Sequence, residues 1–336
     1  MIETRPLVSV CVVSHNSAGD LPDCLAALDR LSYRPLEILL VDCASEDRSV
    51  DIGRSSMPGD LPHSIIALQE NIGFAGGMNR ALEEAQGAFI LSLNPDARPA
   101  EDFVDRLVDH CAGAGRRIGA VTGRLVRLDL DNGMPILDAC GMVLKPTWRH
   151  LDRGSGKPDR GQWCDAERVF GGTGAATLFC RPALDDVAID NQAFDADFHS
   201  YREDAEICFR LRERGWEILY EPRARCGHGR ANLPTRRRAM PAEVNFHSLK
   251  NRYLLRAYHQ DLPNFFLTLV PALIRDLLAL GYVLSRERSS LGAYSWLWRR
   301  RRQIMARRRS LFKRRSCTWW ELNRWFIRRS LPFRGQ

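Results

Sequence analysis

Four short apolar segments in the first hundred residues alternate with helical patterns, and each ends in small polar residues. The segments are 7–13, 36–41, 64–68 and 88–93. Apolar residues recur at helical spacing over 20–31, and a further helix is predicted over 78–85. Strands that alternate with helices predict an α/β fold with a mostly parallel sheet. In such a sheet, ligands bind beyond the carboxyl ends of the strands.

The polar residues at these strand ends should therefore converge on one crevice. Asp42 can accept hydrogen bonds from a nucleotide base or ribose. Asn94 and Asp96 offer an amide oxygen and a carboxylate, and Mg²⁺ favours one or two protein carboxylates together with substrate phosphates. The glycines of 71–77 allow a ligand to approach the backbone closely. The strand-end residues are Ser14, His15, Asn16, Asp42, Asn71–Gly77, Asn94 and Asp96.

The segment Phe194–Arg210 holds five carboxylates among aromatic and aliphatic side chains. A carboxylate at the edge of a partly dry pocket has a raised pKa and can take a proton near neutral pH. The other interpretation is the start of a solvated amphipathic helix, with Glu203 and Asp204 near its N-terminus. The pattern alone leaves both interpretations open. The five acids are Asp195, Asp197, Glu203, Asp204 and Glu206.

A glycine-rich segment, 169–180, precedes these acids and ends in an apolar run. It predicts either a loop whose backbone approaches a ligand or a set of tight turns, followed in both cases by a strand. The ten cysteines include no CxxC pair, and Cys226 with His228 has no second pair that would build a structural zinc site. No secretory pattern is found at the N-terminus, so a reducing, cytosolic body is expected.

Residues 265–284 are apolar and long enough to span a bilayer. Arg275 and Asp276 lie near the middle of this segment and make insertion costly. We therefore expect a helix that lies in the membrane interface, with Thr268, Arg275 and Tyr282 on one face. A buried hairpin of the soluble fold is the alternative.

The C-terminal segment is strongly basic. Residues 299–336 carry a net charge of +13 and the whole chain carries +8, so residues 1–298 sum to −5. This asymmetry predicts an anionic partner. Tryptophan together with arginine suits a membrane headgroup layer, which we favour; nucleic acid is the competing partner, because these side chains also stack on bases and bind phosphates. The tryptophans are Trp296, Trp298, Trp319, Trp320 and Trp325.

As an ordered set, these segments resemble the family 2 glycosyltransferases of the A-type (GT-A) fold, and within them the rhamnosyltransferase-like enzymes. The resemblance covers about residues 7–230, and its motifs are specific as a set. It is carried by VSVCVVSHNS, ILLVDCASED, NIGFAGGMNRAL, LSLNPDA, GGTGAATLFCR and FDADFHSYREDAEICFRLRERGW, followed by His228.

The resemblance implies a role for each matching position. Asp204, with Glu203 beside it, falls on the family's Glu-Asp motif and would be the general base. Asp96 occupies the second acid of the Asp-x-Asp metal motif, and His228 would complete a site for Mg²⁺ or Mn²⁺ and diphosphate. Asp42 would contact the nucleoside. The other residues expected to line the donor are Ser14, Asn16, Asn71, Gly76, Asn79, Asn94 and Gly172.

The chain departs from the family's pattern at four positions but keeps both central aspartates. The change at Asn94 weakens metal binding, and the changes at Arg48 and Ala196 bear on donor and acceptor choice. The four departures are Asn94 in place of the first metal-motif acid, Cys43 in place of Asn, Arg48 in place of Gly and Ala196 in place of Glu.

The resemblance thus implies an inverting glycosyltransferase in bacterial cell-surface polysaccharide synthesis. It would move a sugar from a nucleotide donor to a glycan or lipid-linked acceptor, and subgroup likeness suggests rhamnose from dTDP-rhamnose. We expect a catalytic domain over 1–240 and a helical, basic, Trp-rich membrane-associating region over 241–336. This region would hold the enzyme peripherally at the cytoplasmic face of the plasma membrane.

Two other functions are considered. A nucleotidyltransferase usually carries a Gly-rich phosphate loop with Lys or Arg after the first strand, and Ser14–Ser17 lacks one. A non-catalytic membrane or nucleic-acid binding protein on a decayed transferase fold is disfavoured, because both Asp96 and Asp204 are retained.

Overall fold

The strands of the protein build one large mixed sheet and a small hairpin. The structure, a computed structural model, describes residues 5–112, 117–131, 133–229 and 240–333. The strands in these residues are β1 Val8–Ser14, β2 Leu36–Cys43, β3 His63–Leu68, β4 Phe89–Leu93, β5 Ala97–Pro99, β6 Ile118–Asp131, β7 Met134–Ala139, β8 Met142–Lys145, β9 Arg149–Asp152, β10 Glu167–Arg168, β11 Ala176–Cys180, β12 Glu217–His228 and β13 Leu331–Pro332.

Helices cover the sheet and form most of the C-terminal region. They are α1 Leu21–Asp29, α2 Ser49–Ser56, α3 Gly73–Glu84, α4 Phe103–Ala112, α5 Arg181–Val187, α6 Glu203–Glu213, α7 Ala242–His259, α8 Leu262–Arg286, α9 Gly292–Arg299, α10 Arg301–Arg314 and α11 Trp319–Asn323.

The order of strands in the large sheet is β13-β10-β12-β6-β11-β4-β1-β2-β3. β1 pairs in parallel with β2 and β4, and β2 pairs in parallel with β3. β11 is antiparallel to β4 and β6, whereas β12 is parallel to β6. The predicted α/β fold with a mostly parallel sheet is confirmed. The polar residues after β1, β2, β3 and β4 therefore lie along one edge of the sheet.

The central strands form because their residues are apolar on both faces. Every residue of β1 is buried, as expected for a parallel strand covered by helices on each side. One prediction was wrong: α3 begins at Gly73, not at Met78, so Gly76 lies in a helix. Close packing explains the glycines here, since a Cβ on Gly77 would lie 2.6 Å from Val13.

Residues 97–165 form several regular helices and strands. They contain α4, the 14-residue strand β6 and the β8–β9 hairpin. Two glycines interrupt the apolar run of β6, and both are sites of close approach. A Cβ on Gly123 would lie 2.5 Å from the carbonyl oxygen of Ala224, and one on Gly119 would lie 2.9 Å from Trp216.

The C-terminal region is joined to the body at several places. β13 adds a strand to the edge of the sheet beside β10. Trp325 is 1% exposed and packs in the main core, so this tryptophan is not available to a membrane headgroup layer. Most apolar side chains of α8 are exposed, which excludes the buried hairpin. Thr268 is buried, and Arg275 and Tyr282 are half-buried, so the three share the face toward the body. The boundary at 240/241 stays a prediction.

Candidate active site

The end of β2 carries a buried carboxylate that organises the neighbouring loop. Asp42 accepts hydrogen bonds from the backbone N–H and the hydroxyl of Ser45, at 2.9 and 2.6 Å. The Ser45 hydroxyl oxygen in turn accepts from the backbone N–H of Asn16, which follows β1. The Asn16 side chain accepts from the N–H of Glu46. These bonds tie the ends of β1 and β2 together, as the strand-end argument predicted.

Four other predicted donor residues make contacts within the protein. Ser14 is fully buried. The amide of Asn79 donates to the carbonyl of Phe194 and accepts from its N–H, at 2.7 and 2.9 Å, so it braces α3 against the acidic segment. A Cβ on Gly172 would collide with Thr177. Asn71 accepts from the N–H of Gly73 and is exposed beside the crevice. Their predicted roles in donor binding stay predictions.

Asp96 and His228 meet because β5 pairs with β12. His228 lies opposite Ala97 in this pairing, and its Nε2 lies 3.2 Å from the Oδ1 of Asp96. The Nδ1 of His228 lies 2.7 Å from the Oδ2 of Asp138, which is buried on β7. Burial lowers the pKa of His228, but the bonds to Asp138 and Asp96 outweigh it and raise the pKa to about 9. The carboxylate of Asp138 thus orients the ring of His228 through Nδ1, the ring nitrogen that does not face Asp96.

This pair fits a divalent cation. A carboxylate oxygen and an imidazole nitrogen, both of which are ligands of divalent cations, lie 3.2 Å apart here. The Nε2 of His228 is buried and makes no hydrogen bond of normal geometry among the described residues. A cation bound there would replace the proton that the raised pKa keeps on His228. Asp138 was missed by sequence reasoning, although a carboxylate between Leu137 and Ala139 is a readable signal.

The glycine-rich segment connects the metal-type residues to the acidic pair. The backbone N–H of Asn94 donates to the carbonyl of Ala175. The carbonyl of Gly174 accepts from the hydroxyl of Ser92, and its N–H donates to the Oδ2 of Asp204 at 3.3 Å. The end of β4 and the start of α6 therefore lie on opposite sides of this loop. The loop combines the two features that the sequence left as alternatives, a backbone that approaches other groups closely and tight turns.

Asp204 is a half-buried carboxylate with a perturbed pKa. Its Oδ1 accepts from the N–H of Ala205 at 2.7 Å. Burial, and then the negative charge of Asp152, raise the pKa of Asp204 to about 6. Burial and the charge of Asp204 raise the pKa of Glu203 well above its usual value. Both acids do lie in the first turn of α6, but the helix is buried from Ala205 to Glu213, so the interpretation as a solvated amphipathic helix was wrong.

Asp152 on β9 was missed by sequence reasoning. It belongs to the hairpin β8–β9, which lies against the start of α6: Nδ1 of His150 lies 3.1 Å from the guanidinium of Arg202. No local pattern in the sequence marks Asp152, because its proximity to Asp204 arises only when the hairpin folds back onto the sheet.

The segment before α6 has an unusual backbone. His199, Tyr201 and Arg202 have φ angles of 61°, 70° and 75°. Non-glycine residues in this region are strained and persist only where the surroundings hold them. The amide of Asn251, buried in α7, donates to the carbonyls of Phe198, Ser200 and Tyr201 at 2.7, 2.9 and 2.6 Å. The C-terminal region therefore shapes the loop that presents Asp204.

The comparisons with known proteins agree with this arrangement. The model of the family described as Glycosyl transferase family 2 matches residues 9–186, more than half of the chain. This chain belongs to glycosyl transferase family 2. The matched range contains the crevice residues from β1 to β11 but ends before Asp204 and His228.

Two relatives align with this glycosyltransferase over different shares of their own length. A "Glycosyltransferase AglE" from Haloferax volcanii is 29% identical over 117 residues, which are 34% of this chain and 38% of the relative. An N-acetylglucosaminyl-diphospho-decaprenol L-rhamnosyltransferase from Mycobacterium tuberculosis is 28% identical over 262 residues, covering 69% of this chain and 78% of the relative.

A solved structure supports the GT-A fold of this glycosyltransferase. A mannosyltransferase from Pyrobaculum calidifontis, in complex with GDP-Man and Mn²⁺, superposes with a TM-score of 0.54 at 18% identity. The superposition covers 97% of this chain and 86% of that one. At this identity the similarity establishes the fold, and the resemblance inferred from the ordered motifs is confirmed.

Proposed function

We propose that this family 2 glycosyltransferase is an inverting enzyme that transfers a sugar from a nucleotide donor to a lipid-linked acceptor. The observation that carries the proposal is Asp204, a half-buried carboxylate whose pKa is raised to about 6. It lies one loop away from the Asp96–His228 pair. A single displacement requires a base for the acceptor and a site for the leaving diphosphate, and these two groups of residues supply them.

In the proposed reaction, Asp204 takes the proton from an acceptor hydroxyl. The acceptor oxygen forms a bond to the anomeric carbon as the bond from that carbon to the nucleoside diphosphate breaks, so the configuration inverts. The N–H groups of Gly174 and Ala205 hold the Asp204 carboxylate in place. Burial and the negative charge of Asp204 raise the pKa of Glu203 well above its usual value.

Asp96 and His228 are the residues that would hold a divalent cation, Mg²⁺ or Mn²⁺. When bound, the cation supplies positive charge that neutralises the leaving diphosphate. Asp138 fixes the ring of His228 for this role. The Mn²⁺ in the similar mannosyltransferase structure supports the choice of metal class.

The nucleoside would lie against the ends of β1, β2 and β3. Asp42 and Asn16 are cross-linked there through Ser45, and Asn71 lies beside them. The specific donor proposed is dTDP-rhamnose. Support comes from the motif resemblance and from the L-rhamnosyltransferase relative, which covers 69% of this chain.

We also propose that the protein binds peripherally to the cytoplasmic face of the plasma membrane through α8. This helix is long and apolar enough to cross a membrane, with a mean hydropathy of 1.7. Thr268 and Ala272 face the body, whereas Val270, Leu273 and Leu277 are exposed. An exposed apolar face backed by protein suits a helix that lies in the interface. The diphospho-decaprenol in the relative's name supports a lipid-linked acceptor.

The test is release of nucleoside diphosphate from a panel of nucleotide sugars, with and without Mg²⁺ or Mn²⁺. We expect one donor to be turned over in a metal-dependent manner. Asp204→Asn should reduce transfer by about 10²–10⁴-fold, the usual contribution of a general base. Asp60→Asn is the matched control, because Asp60 is exposed and precedes β3, whereas the crevice residues follow the carboxyl ends of the strands. If folded protein binds no donor, the non-catalytic alternative replaces this proposal.

A further inference from the structure

Three cationic side chains come together where the β8–β9 hairpin packs on α8. Lys145 and Arg149 are directly opposite each other in the hairpin, where like charges destabilise the pairing. The indole of Trp148, next to Arg149, donates to the hydroxyl of Thr268 on α8 at 3.2 Å. Arg275 lies seven residues further along α8, two turns away on the same face as Thr268. We call Lys145, Arg149 and Arg275 the cationic cluster.

Within the described part of the chain, the cationic cluster has no counter-ion. None of its three side chains forms an ion pair or a hydrogen bond with another residue of the described ranges, although the adjacent Asp276 pairs with Arg256 at 2.6 Å. The Nε of Arg275 is shielded from solvent without a partner. Burial, and then the positive charge of Arg275, lower the pKa of Arg149. Half-buried guanidinium groups that repel each other are stabilised by an anion, and phosphate is the anion they bind best.

The position of the cluster connects the exposed helix to the catalytic base. Its Arg275 is on α8, whose opposite face exposes apolar side chains such as Leu273 and Leu277. From Arg149, β9 runs three residues to Asp152, a distance of about 10 Å. Asp152 is close enough to Asp204 for its charge to raise the pKa of that base. A lipid bound beside α8 with its phosphate at the cluster would therefore have its next group on the side of Asp152 and Asp204.

We propose that Lys145, Arg149 and Arg275 form a binding site for a phosphate group carried by a lipid. This inference rests on the proposed function in one respect: if the lipid is the acceptor, the phosphate is the one that links its hydrocarbon to the sugar that Asp204 deprotonates. The phosphate of a bilayer phospholipid has the same chemistry, and the experiment separates the two sources.

The experiment measures binding of farnesyl diphosphate to the full-length protein in an uncharged detergent. Farnesol, which has the same hydrocarbon and no phosphate, is the reference ligand. We expect Arg149→Gln/Arg275→Gln to weaken farnesyl diphosphate binding by about tenfold or more, since it removes two charge-assisted interactions. Farnesol binding should not change. Arg286→Gln removes a charge from the exposed end of α8 and should leave both ligands unaffected.

A second arm measures sedimentation of the same variants with phosphatidylglycerol vesicles. Loss of diphosphate binding with normal sedimentation assigns the cluster to the acceptor. Loss of sedimentation with normal diphosphate binding assigns it to the bilayer headgroup. If neither changes, the proposal is overturned. Arg149→Lys/Arg275→Lys should keep part of the binding, and melting temperatures verify that each variant is folded. Donor turnover by wild type is measured separately, so failure of the proposed function is distinguishable from failure of this site.

Discussion

At the scale of single residues, the site depends on how Asp204 is held between opposing influences. Burial and the charge of Asp152 raise the pKa of its carboxyl group, and the N–H groups of Ala205 and Gly174 lower it. The result, about 6, lies close enough to neutral pH for the group to be both ionised and basic. His228 shows the reverse balance, because its carboxylate neighbours outweigh burial and raise the pKa of its ring.

The pKa of Asp204 predicts the acid limb of the pH profile. A general base must be deprotonated, so kcat/KM should fall about tenfold per pH unit as the pH drops below about 6. Asp152→Asn removes a negative charge that raises this pKa, so it should move the acid limb to lower pH. The measurement is kcat/KM from pH 4.5 to 8 for both proteins. An acid limb that stays in place would show that Asp152 does not act on the base.

A second residue-scale prediction concerns Asn251. Asn251→Ala removes hydrogen bonds to three carbonyls of the strained segment before α6, so Asp204 should lose its position. We expect kcat to fall at least about tenfold, and stability to fall by about 1–3 kcal/mol, the cost of leaving buried acceptors unpaired. Asn245→Ala is the control. Asn245 lies on the same helix as Asn251, and its amide makes only a 3.5 Å contact, with the carbonyl of Met240. Equal losses of kcat in both variants would contradict the positioning role.

At the scale of elements, the sequence was most informative where each pattern is continuous. β1 to β4 and α1 were predictable because their apolar spacing is unbroken and their ends carry polar residues. β6 was not, since Gly119 and Gly123 interrupt its apolar pattern to allow close approach of Trp216 and Ala224. The strand ends located Asp42 and Asp96. Asp152 and Asn251 could not be located, because they reach the site only through long-range packing.

The helix α8 shows an inverted arrangement of polar and apolar faces. Its polar side chains Asn264 and Thr268 are buried against the body, whereas Leu273 and Leu277 are 53% and 60% exposed. Water is a poor solvent for such a surface, and a patch of this kind marks an interaction site. The helix thus has protein on one side and an exposed apolar face on the other, which is the face that we propose contacts lipid.

This surface predicts how membrane binding can be removed without unfolding the protein. Changing Val270, Leu273 and Leu277 to serine should abolish sedimentation with lipid vesicles, because buried apolar area in the interface is lost. Donor turnover should persist, since these side chains are exposed and make no contact with the crevice. Leu128→Ser changes an exposed leucine on β6 and should sediment like wild type. Normal sedimentation of the triple variant would exclude α8 as the anchor.

At the scale of the whole molecule, the basic C-terminal segment is part of the fold rather than a free tail. Arg315 pairs with Glu213 and with Asp261 at 2.5 and 2.8 Å, and Arg300 pairs with Asp197. Part of the +13 charge that suggested an anionic partner is therefore balanced by acids of the body. Because these pairs join the segment to the body, deleting 263–336 would perturb the fold as well as any membrane contact.

The contribution of the C-terminal region to the fold can be tested separately from membrane binding. Trp325 packs in the main core, with the guanidinium of Arg212 4.5 Å above its ring. Trp325→Ala should lower stability by about 3–5 kcal/mol, the usual cost of truncating a buried aromatic side chain. Trp298 is 68% exposed, so Trp298→Ala should change stability by no more than about 0.5 kcal/mol. Urea unfolding measures both. Similar stabilities would mean that the C-terminal segment is not integral to the fold. The expected difference would mean that the C-terminal segment completes the core of the protein.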